Sequence, residues 1–175
     1  PQNTTSEELT NELLLTVDRA CDRAGCDLSS IIAAGIGSVG PLDYEAGTIE
    51  NPTNITGTKT PVDLVAPLLE RLETDTVVLN NDAVCGVIAE ARFAEPMPED
   101  MVYLTISTGI GAGVIVDGCV LSGADGNVAE VGHMTLDPAG TMRCGCGVDG
   151  HWEAYAGGAN IPAYARTIHD EGSIE

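Results

Sequence analysis

Residues 76–93 read TVVLNNDAVCGVIAEARF, and this stretch holds the clearest structural pattern of the chain. The run from Thr76 to Leu79 is typical of a strand buried in a sheet, and residues 83–93 are predicted to form a helix directly after it. A second apolar run, residues 31–37, predicts another buried strand upstream. Strands that alternate with helices in this way predict an α/β fold with a parallel sheet and crossover helices.

Apolar residues at helical spacing and local start and stop signals predict four further helical segments. They are residues 6–24, which stop at Gly25; Pro61 to about residue 72, with Thr60 as N-cap; a short stretch over 127–131; and a helix that begins near His151.

The sequence EPMPED at residues 95–100 interrupts this pattern. We therefore predict a lobe boundary here, with residues 1–98 in a first lobe and residues 99–175 in a second. In the second part, two predicted strands flank a glycine-rich segment, and Asp117-Gly118 is typical of a hairpin turn.

The chain is strongly acidic. Its 175 residues include 27 acidic and 7 basic ones, and the formal net charge is −20. Such a charge repels nucleic acids and anionic membranes, so we expect neither as a partner. Simple solubility explains this surface, and so does adaptation to high salt, which screens the repulsion between like charges. We favour a halophilic origin, because the acidic residues are spread along the chain.

No apolar run approaches the roughly 20 residues that span a bilayer. The first residues lack the basic start and apolar segment of a secretion signal. Four of the six cysteines stand singly in apolar surroundings, as reduced thiols of a cytosolic protein do. We therefore expect a cytoplasmic protein.

The glycine-rich segment reads STGIGAG, residues 107–113. Glycines allow the backbone to approach a ligand closely and to direct N–H groups at an anion such as phosphate. A strand follows where a dinucleotide-binding fingerprint requires a helix, and the Gly-Lys-Ser/Thr ending of a Walker A loop is missing. A tight hairpin is the alternative interpretation.

The polar residues Asn80, Asn81 and Asp82 follow a predicted buried strand. Ligands of open α/β sheets bind at the carboxyl ends of strands, and an aspartate there could accept a proton from a substrate hydroxyl. Capping of the following helix is the alternative role for Asn81 or Asp82.

A third motif combines Glu130-Val-Gly-His133, Cys144-Gly-Cys146-Gly and His151-Trp-Glu153. Two cysteines and two histidines form a donor set suited to tetrahedral zinc, and a zinc ion would close a long loop that has little core of its own. Two free cysteines in a loop are the alternative.

Together these motifs resemble the ROK family (repressors, uncharacterised reading frames and sugar kinases), in the family's order and over nearly the whole chain. The matching segments are the glycine-rich stretch 35–41 leading to Asn51, Asn81-Asp82 with Glu90 downstream, residues 105–113, and the motif from Glu130 to Glu153.

The resemblance implies the two-lobed actin-like ATPase (ribonuclease H-like) fold, of which this chain holds a part. It also implies ATP-dependent phosphorylation of a hexose, with glucose the favoured substrate, at the 6-hydroxyl. Asp82 is implied as the general base that binds and deprotonates this hydroxyl. The other implied sugar-binding residues are Asn51, Asn81, Glu130, His133 and Glu153.

The same resemblance implies that Thr108, Gly109 and Gly111 hold the phosphates of ATP, with Mg²⁺ neutralising their charge. A structural zinc ion is implied as well. Its ligands would be His133, Cys144, Cys146 and His151, where His151 replaces a cysteine that many members carry.

The family's N-terminal Asp-x-Gly-x-Thr phosphate loop and its C-terminal adenine-binding segment are not among these residues. We therefore expect the activity to belong to a longer parent protein, and the chain alone to be weak or inactive. The expected partners are a small sugar, ATP and further copies of the chain. Two alternatives stay open: a sugar-responsive transcriptional regulator of the same family, and a zinc-stabilised domain without catalysis.

Overall fold

The computed structural model describes residues 5–50 and 61–170, which divide into two compact units. The first unit comprises Pro1–Asp82 and Ser122–Asn127, and the second comprises Ala83–Leu121 and Val128–Glu175. The division thus falls after Asp82, although the sequence predicted a lobe boundary between residues 98 and 99. The helix that follows Asp82 is grouped with the second unit because it packs against that unit's sheet.

Within the described residues, the first unit contains two helices and five strands, and a 3₁₀ turn at Leu28–Ser30. In chain order the elements are α1 (Ser6–Ala24), β1 (Ala34–Ser38), β2 (Leu42–Asp43), β3 (Thr48–Ile49), β4 (Val62–Asp63), α2 (Val65–Leu72) and β5 (Val77–Asn81).

Helix α1 is capped at both ends. The Thr5 side chain accepts the N–H of Glu8 at 3.2 Å, and the Glu8 carboxylate accepts the N–H of Thr5 at 2.8 Å, which completes a capping box. Gly25 ends the helix in the left-handed conformation with φ 66°, which glycine adopts without steric cost. The predicted helix over residues 6–24 and its stop at Gly25 are confirmed.

Strands β1 and β5 pair in parallel, with Ile36 opposite Leu79 and Ser38 opposite Asn81. The parallel pairing predicted from the order of strands and helices is confirmed. In this register both strands end at the same edge of the sheet, and Asn81 is the last residue of β5.

Helix α2 begins at Val65, and the prediction that it begins at Pro61 is wrong. Val62–Asp63 instead forms β4, which pairs with β3 and buries the Val62 side chain to 1% exposure. Burial of this valine outweighs the helix-start preference of Pro61. The other buried members of its cluster are Leu42, Ile49, Leu64 and Leu79. The predicted N-cap, Thr60, lies outside the described residues.

The second unit contains three helices and three strands within its described residues, and a 3₁₀ turn at Val131–His133. The elements are α3 (Asp82–Phe93, of which Asp82 belongs to the first unit), β6 (Met101–Ile106), β7 (Ile110–Val116), β8 (Cys119–Val120), α4 (Trp152–Ala156) and α5 (Ile161–Asp170).

Strands β6, β7 and β8 form an antiparallel sheet in this order. The predicted Asp117-Gly118 turn joins β7 to β8, and both of its residues have positive φ, as a two-residue hairpin turn requires. Helix α3 covers one face of the sheet, where Val87 and Ala91 pack with Ile115. Side chains on the opposite face of β6 are exposed, for example Val102 at 64%.

The helical stretch predicted over residues 127–131 is wrong apart from the 3₁₀ turn that begins at Val131. The Asn127 side chain accepts the N–H of Leu42 at 3.1 Å and donates to the Leu42 carbonyl at 3.0 Å, so it pairs with a strand backbone. Ala129 has a φ of 60°, which interrupts any right-handed helix.

All six cysteines carry free thiols. None of the helices in the described residues has the length and apolar composition needed to cross a membrane.

Candidate active site and metal-binding loop

The loop that follows the Val131–His133 turn folds back on itself through backbone contacts. Thr135 pairs with His151, and Arg143 pairs with Asp149, both in antiparallel bridges. The Gly150 N–H donates to the carbonyl of residue 142 at 2.8 Å. These contacts bring the start and the end of the loop together.

The four side chains predicted to bind zinc, His133, Cys144, Cys146 and His151, converge in this loop. One ligand atom from each lies within 4.8 Å of the other three. The Cys146 Sγ and His151 Nδ1 atoms are 3.2 Å apart. Cys144 and His151 are buried, at 3% and 8% exposure, whereas the other two side chains reach the surface.

This donor set fits a zinc ion. Zn–S bonds of about 2.3 Å and Zn–N bonds of about 2.0 Å place tetrahedral ligand atoms about 3.3–3.8 Å apart. The Cys146–His151 pair is 3.2 Å apart and all four atoms lie within 4.8 Å, so small side-chain rotations bring the set to this spacing. Burial raises the pKa of the Cys144 thiol. A cation bound beside the thiol would favour its deprotonated form and offset this effect.

Asp137, which the sequence did not single out, organises the first half of the loop. Its carboxylate accepts the Tyr155 hydroxyl at 2.5 Å, the Thr141 N–H at 2.8 Å and the Ala139 N–H at 2.9 Å. These bonds, with that from Tyr155 the largest cause, hold the pKa of Asp137 well below its usual range. The Tyr155 oxygen in turn accepts the Met142 N–H at 3.0 Å, so one tyrosine ties two parts of the loop together.

Glu153 connects the candidate metal-binding loop to the glycine-rich turn between β6 and β7. Its Oε2 accepts the Ile110 N–H at 2.8 Å, and its Oε1 lies 4.0 Å from the Cys144 Sγ. A Cβ at Gly109 would lie 2.3 Å from the same Oε2. Residue 109 therefore has to be glycine while this carboxylate occupies its position.

The residues predicted to bind phosphate lie in and next to this turn. Thr108 and Gly109 lie in the three-residue turn 107–109, and Gly111 lies in β7. The Ala159 N–H donates to the Thr108 carbonyl at 3.0 Å, so the segment after α4 supports the turn from one side. The segment is thus a β-hairpin, and phosphate binding by it stays a prediction.

Of the residues predicted to bind sugar, Glu130, His133 and Glu153 belong to the second unit. Glu130 is exposed, and its Oε2 lies 3.6 Å from the Nδ1 of His133. Asn81 and Asp82 belong to the first unit, where they stand at the carboxyl end of β5 and in the first turn of α3. The remaining one, Asn51, lies outside the described residues.

Comparison with known proteins gives one consistent result. The sequence matches the ROK family over residues 1–174. It is 41% identical over 151 residues to a glucokinase of Pyrobaculum calidifontis, and this match covers 86% of the chain and 48% of the relative. The chain thus spans about half the length of the curated relatives it matches.

The chain also matches solved structures of ROK family proteins. The chain superposes with a TM-score of 0.74 on a ROK family glucokinase from Streptomyces griseus in complex with glucose and AMPPNP, at 31% identity, covering 97% of this chain and 52% of the other. It superposes with a TM-score of 0.79 on a ROK family transcriptional regulator, a homolog of the E. coli MLC protein, at 25% identity, covering 97% and 42%.

The α/β elements and these neighbours confirm the fold class that the motifs predicted, the actin-like ATPase fold, of which the chain holds a part. The match over nearly every residue also confirms the resemblance on which that prediction rested. The chain belongs to the ROK family.

Proposed function

We propose that the protein containing this chain phosphorylates a hexose with ATP, with glucose the favoured substrate and the 6-hydroxyl the acceptor. One observation carries the proposal: Glu153, a predicted sugar ligand, bonds directly to the predicted phosphate-binding turn through the Ile110 N–H. A carboxylate in this position places a polar, sugar-binding group beside the backbone that would hold the transferred phosphate. The 41% identity to a glucokinase supports the choice of reaction and of sugar.

In this proposal Asp82 is the general base. Its carboxylate is exposed at the point where β5 ends and α3 begins, the place in an α/β sheet where ligands bind. It would orient the 6-hydroxyl and accept its proton while the phosphoryl group transfers in line. Asn51, Asn81, Glu130, His133 and Glu153 would bind the other hydroxyls of the sugar.

The phosphates of ATP would lie on Thr108 and Gly109 of the turn and on Gly111 in β7. Mg²⁺, bound with the nucleotide, supplies positive charge that offsets the charge of the phosphates. The four loop ligands would hold Zn²⁺, which supplies loop closure and fixes the His133 ring next to Glu130. Neither ion changes its oxidation state in these roles.

We further propose that the two units contribute to separate lobes of a longer, oligomeric kinase, and that the chain alone has little or no activity. The proposal places the protein in the cytoplasm, where ATP is available and where free thiols such as these six persist.

The test is ADP release by the full-length protein with glucose and with N-acetylated hexosamines as acceptors. Asp82→Asn should lower kcat by about 10²- to 10⁴-fold and leave glucose affinity within a few-fold of the unmodified protein, because the amide retains the hydrogen-bonding shape but cannot accept the proton. Near-normal turnover of this variant would remove Asp82 as the base. Absence of ADP release with every sugar would refute the kinase proposal.

A second candidate function is sugar-responsive transcriptional regulation, which the TM-score of 0.79 to a ROK family regulator favours. A regulator would carry a DNA-binding helix-turn-helix upstream, whereas a kinase would carry a phosphate loop there. The net charge of −20 disfavours DNA binding by the chain itself. Calorimetric titration with glucose and ATP separates the cases: a kinase binds both, a regulator binds the sugar alone, and a zinc-stabilised domain without catalysis binds neither.

A further inference from the structure

Glu153 has a geometric relation to the glycine-rich turn that sugar binding does not require. Its Oε2 accepts the Ile110 N–H at 2.8 Å, at the residue where β7 begins. That N–H is the first backbone donor after Gly109, so the bond fixes the direction in which the peptide leaves the turn. A charge-assisted bond of this type is roughly twice as strong as one between neutral groups.

The turn also approaches this carboxylate more closely than a side chain would permit. A Cβ at Gly109 would lie 2.3 Å from Oε2 and 3.0 Å from the Glu153 carboxyl carbon. The φ of Gly109 lies outside the left-handed region, in contrast to that of Gly118 at 73°. Alanine could therefore adopt this backbone, but its Cβ would displace the end of the Glu153 side chain. Glycine at residue 109 is what allows the carboxylate to keep its present position.

The segment that follows the helix carrying Glu153 is hydrogen-bonded to the turn. The Gly158 N–H donates to the Ser107 carbonyl at 2.7 Å, and a Cβ at Gly158 would lie 2.6 Å from that oxygen. At the opposite end of α4, His151 is the N-cap residue and also one of the four candidate metal ligands. One helix of five residues thus has a metal ligand at its start and supports the turn at its end.

We propose that Glu153 is a positioning residue for the glycine turn: by accepting the Ile110 N–H, it holds the turn in the conformation that binds the phosphates of a nucleotide. This role rests on the proposed function, and it differs from the hydrogen bond to a sugar hydroxyl that the family resemblance implies for the same side chain. Nucleotide affinity measured without sugar therefore depends on the acceptor at residue 153.

The first experiment compares Glu153→Ala with Glu153→Gln in the full-length protein. Amide hydrogen exchange at Ile110 and affinity for AMPPNP are measured in the absence of sugar. Glu153→Ala removes the acceptor, so we expect Ile110 exchange to become at least about tenfold faster and AMPPNP to bind about tenfold more weakly. The carbonyl of Glu153→Gln can still accept the N–H, so both quantities should stay within about threefold of the unmodified protein. Glu99→Ala, which removes an exposed carboxylate from the same unit, is the matched control and should change neither.

The second experiment is a double-mutant cycle. Gly109→Ala alone should weaken AMPPNP binding by at least about tenfold, because its Cβ displaces the Glu153 carboxylate. In the Glu153→Ala background the same substitution should have little further effect, since the group that it displaces is gone. Circular dichroism checks that each variant is folded. A misfolded double variant would bind AMPPNP more weakly than either single variant, so misfolding cannot imitate the expected result.

Three results would overturn the inference: unchanged Ile110 exchange in Glu153→Ala, equal losses in Glu153→Ala and Glu153→Gln, or equal costs of Gly109→Ala in both backgrounds. Failure of the proposed function gives a different result. If the unmodified protein does not bind AMPPNP at all, the kinase proposal is refuted and nucleotide positioning by Glu153 is refuted with it, whatever the Ile110 exchange shows.

Discussion

Val87→Ala tests the packing that supports the glycine turn. Val87 lies on α3 with 0% exposure and contacts the strand that leaves the turn, because a Cβ at Gly113 would lie 2.8 Å from its Cγ1. The substitution removes two carbon groups from a filled core. Each contributes about 0.8 kcal/mol of transfer free energy, and the cavity adds to this, so the free energy of unfolding should fall by about 2–3 kcal/mol. Urea unfolding followed by circular dichroism measures the change.

The matched control is Val102→Ala, which makes the same chemical change in the same unit at 64% exposure. Because that side chain already faces solvent, its loss should cost less than about 1 kcal/mol, mostly through strand propensity. Equal costs for the two variants would show that α3 does not cover this face of the sheet. A larger cost for Val102→Ala would refute the assignment of the buried and exposed faces.

Three further predictions concern the loop and the surface charge. Cys144→Ser should lose zinc, measured by elemental analysis, and lower the melting temperature, whereas the exposed Cys119→Ser should retain both metal and stability; an equal zinc content in the two would contradict the metal site. Tyr155→Phe should destabilise the protein near neutral pH, because it removes the hydrogen bond that most lowers the pKa of Asp137 in the folded state. A carboxylate with a lowered folded-state pKa contributes stability above its ordinary pKa of 3.8, and this stability is lost as the pH falls below that value. The difference in unfolding free energy between Tyr155→Phe and the unmodified protein, measured in urea, should therefore shrink as the pH falls toward about 2. A difference that stays constant with pH would contradict a contribution of the Asp137 carboxylate to stability. With a net charge of −20, the melting temperature should rise between about 0.1 M and about 2 M KCl, and a decrease would argue against adaptation to salt.

Elements fixed by local chemistry could be predicted from the sequence. Helix α1 has its capping box and its terminal glycine within the helix and the residues next to it, so its bounds follow from short-range interactions. The convergence of the four candidate metal ligands was also predictable, because two of the six cysteines and two of the three histidines lie between residues 133 and 151. In both cases the decisive residues lie close together in the sequence.

Features that depend on distant contacts could not be predicted. Pro61 and Thr60 signal a helix start, but the pairing of Val62 with Ile49 gives this segment to a sheet. Asn127 looked compatible with a helix, and its partner is the backbone of Leu42, 85 residues away. Periodicity carries no information on such pairs.

The supporting contacts of the site were missed for the same reason. Asp137 stands before a proline and near a glycine, a sequence typical of a turn, yet its hydrogen bond to Tyr155 spans 18 residues. Glu153 was predicted as a sugar ligand, but its bond to Ile110 crosses 43 residues and two different motifs. Residue type indicated that Glu153 could bind a ligand, and only the fold shows which backbone groups Glu153 and Asp137 contact.

The start of helix α4 places two functional candidates next to each other in the chain. His151, the N-cap residue and a candidate metal ligand, is two residues from Glu153, whose carboxylate accepts the Ile110 N–H. Two residues of helix rise about 3 Å, so few rotatable bonds separate the two side chains. We therefore expect a substitution that shifts the His151 backbone to shift Glu153 as well, and with it the glycine turn.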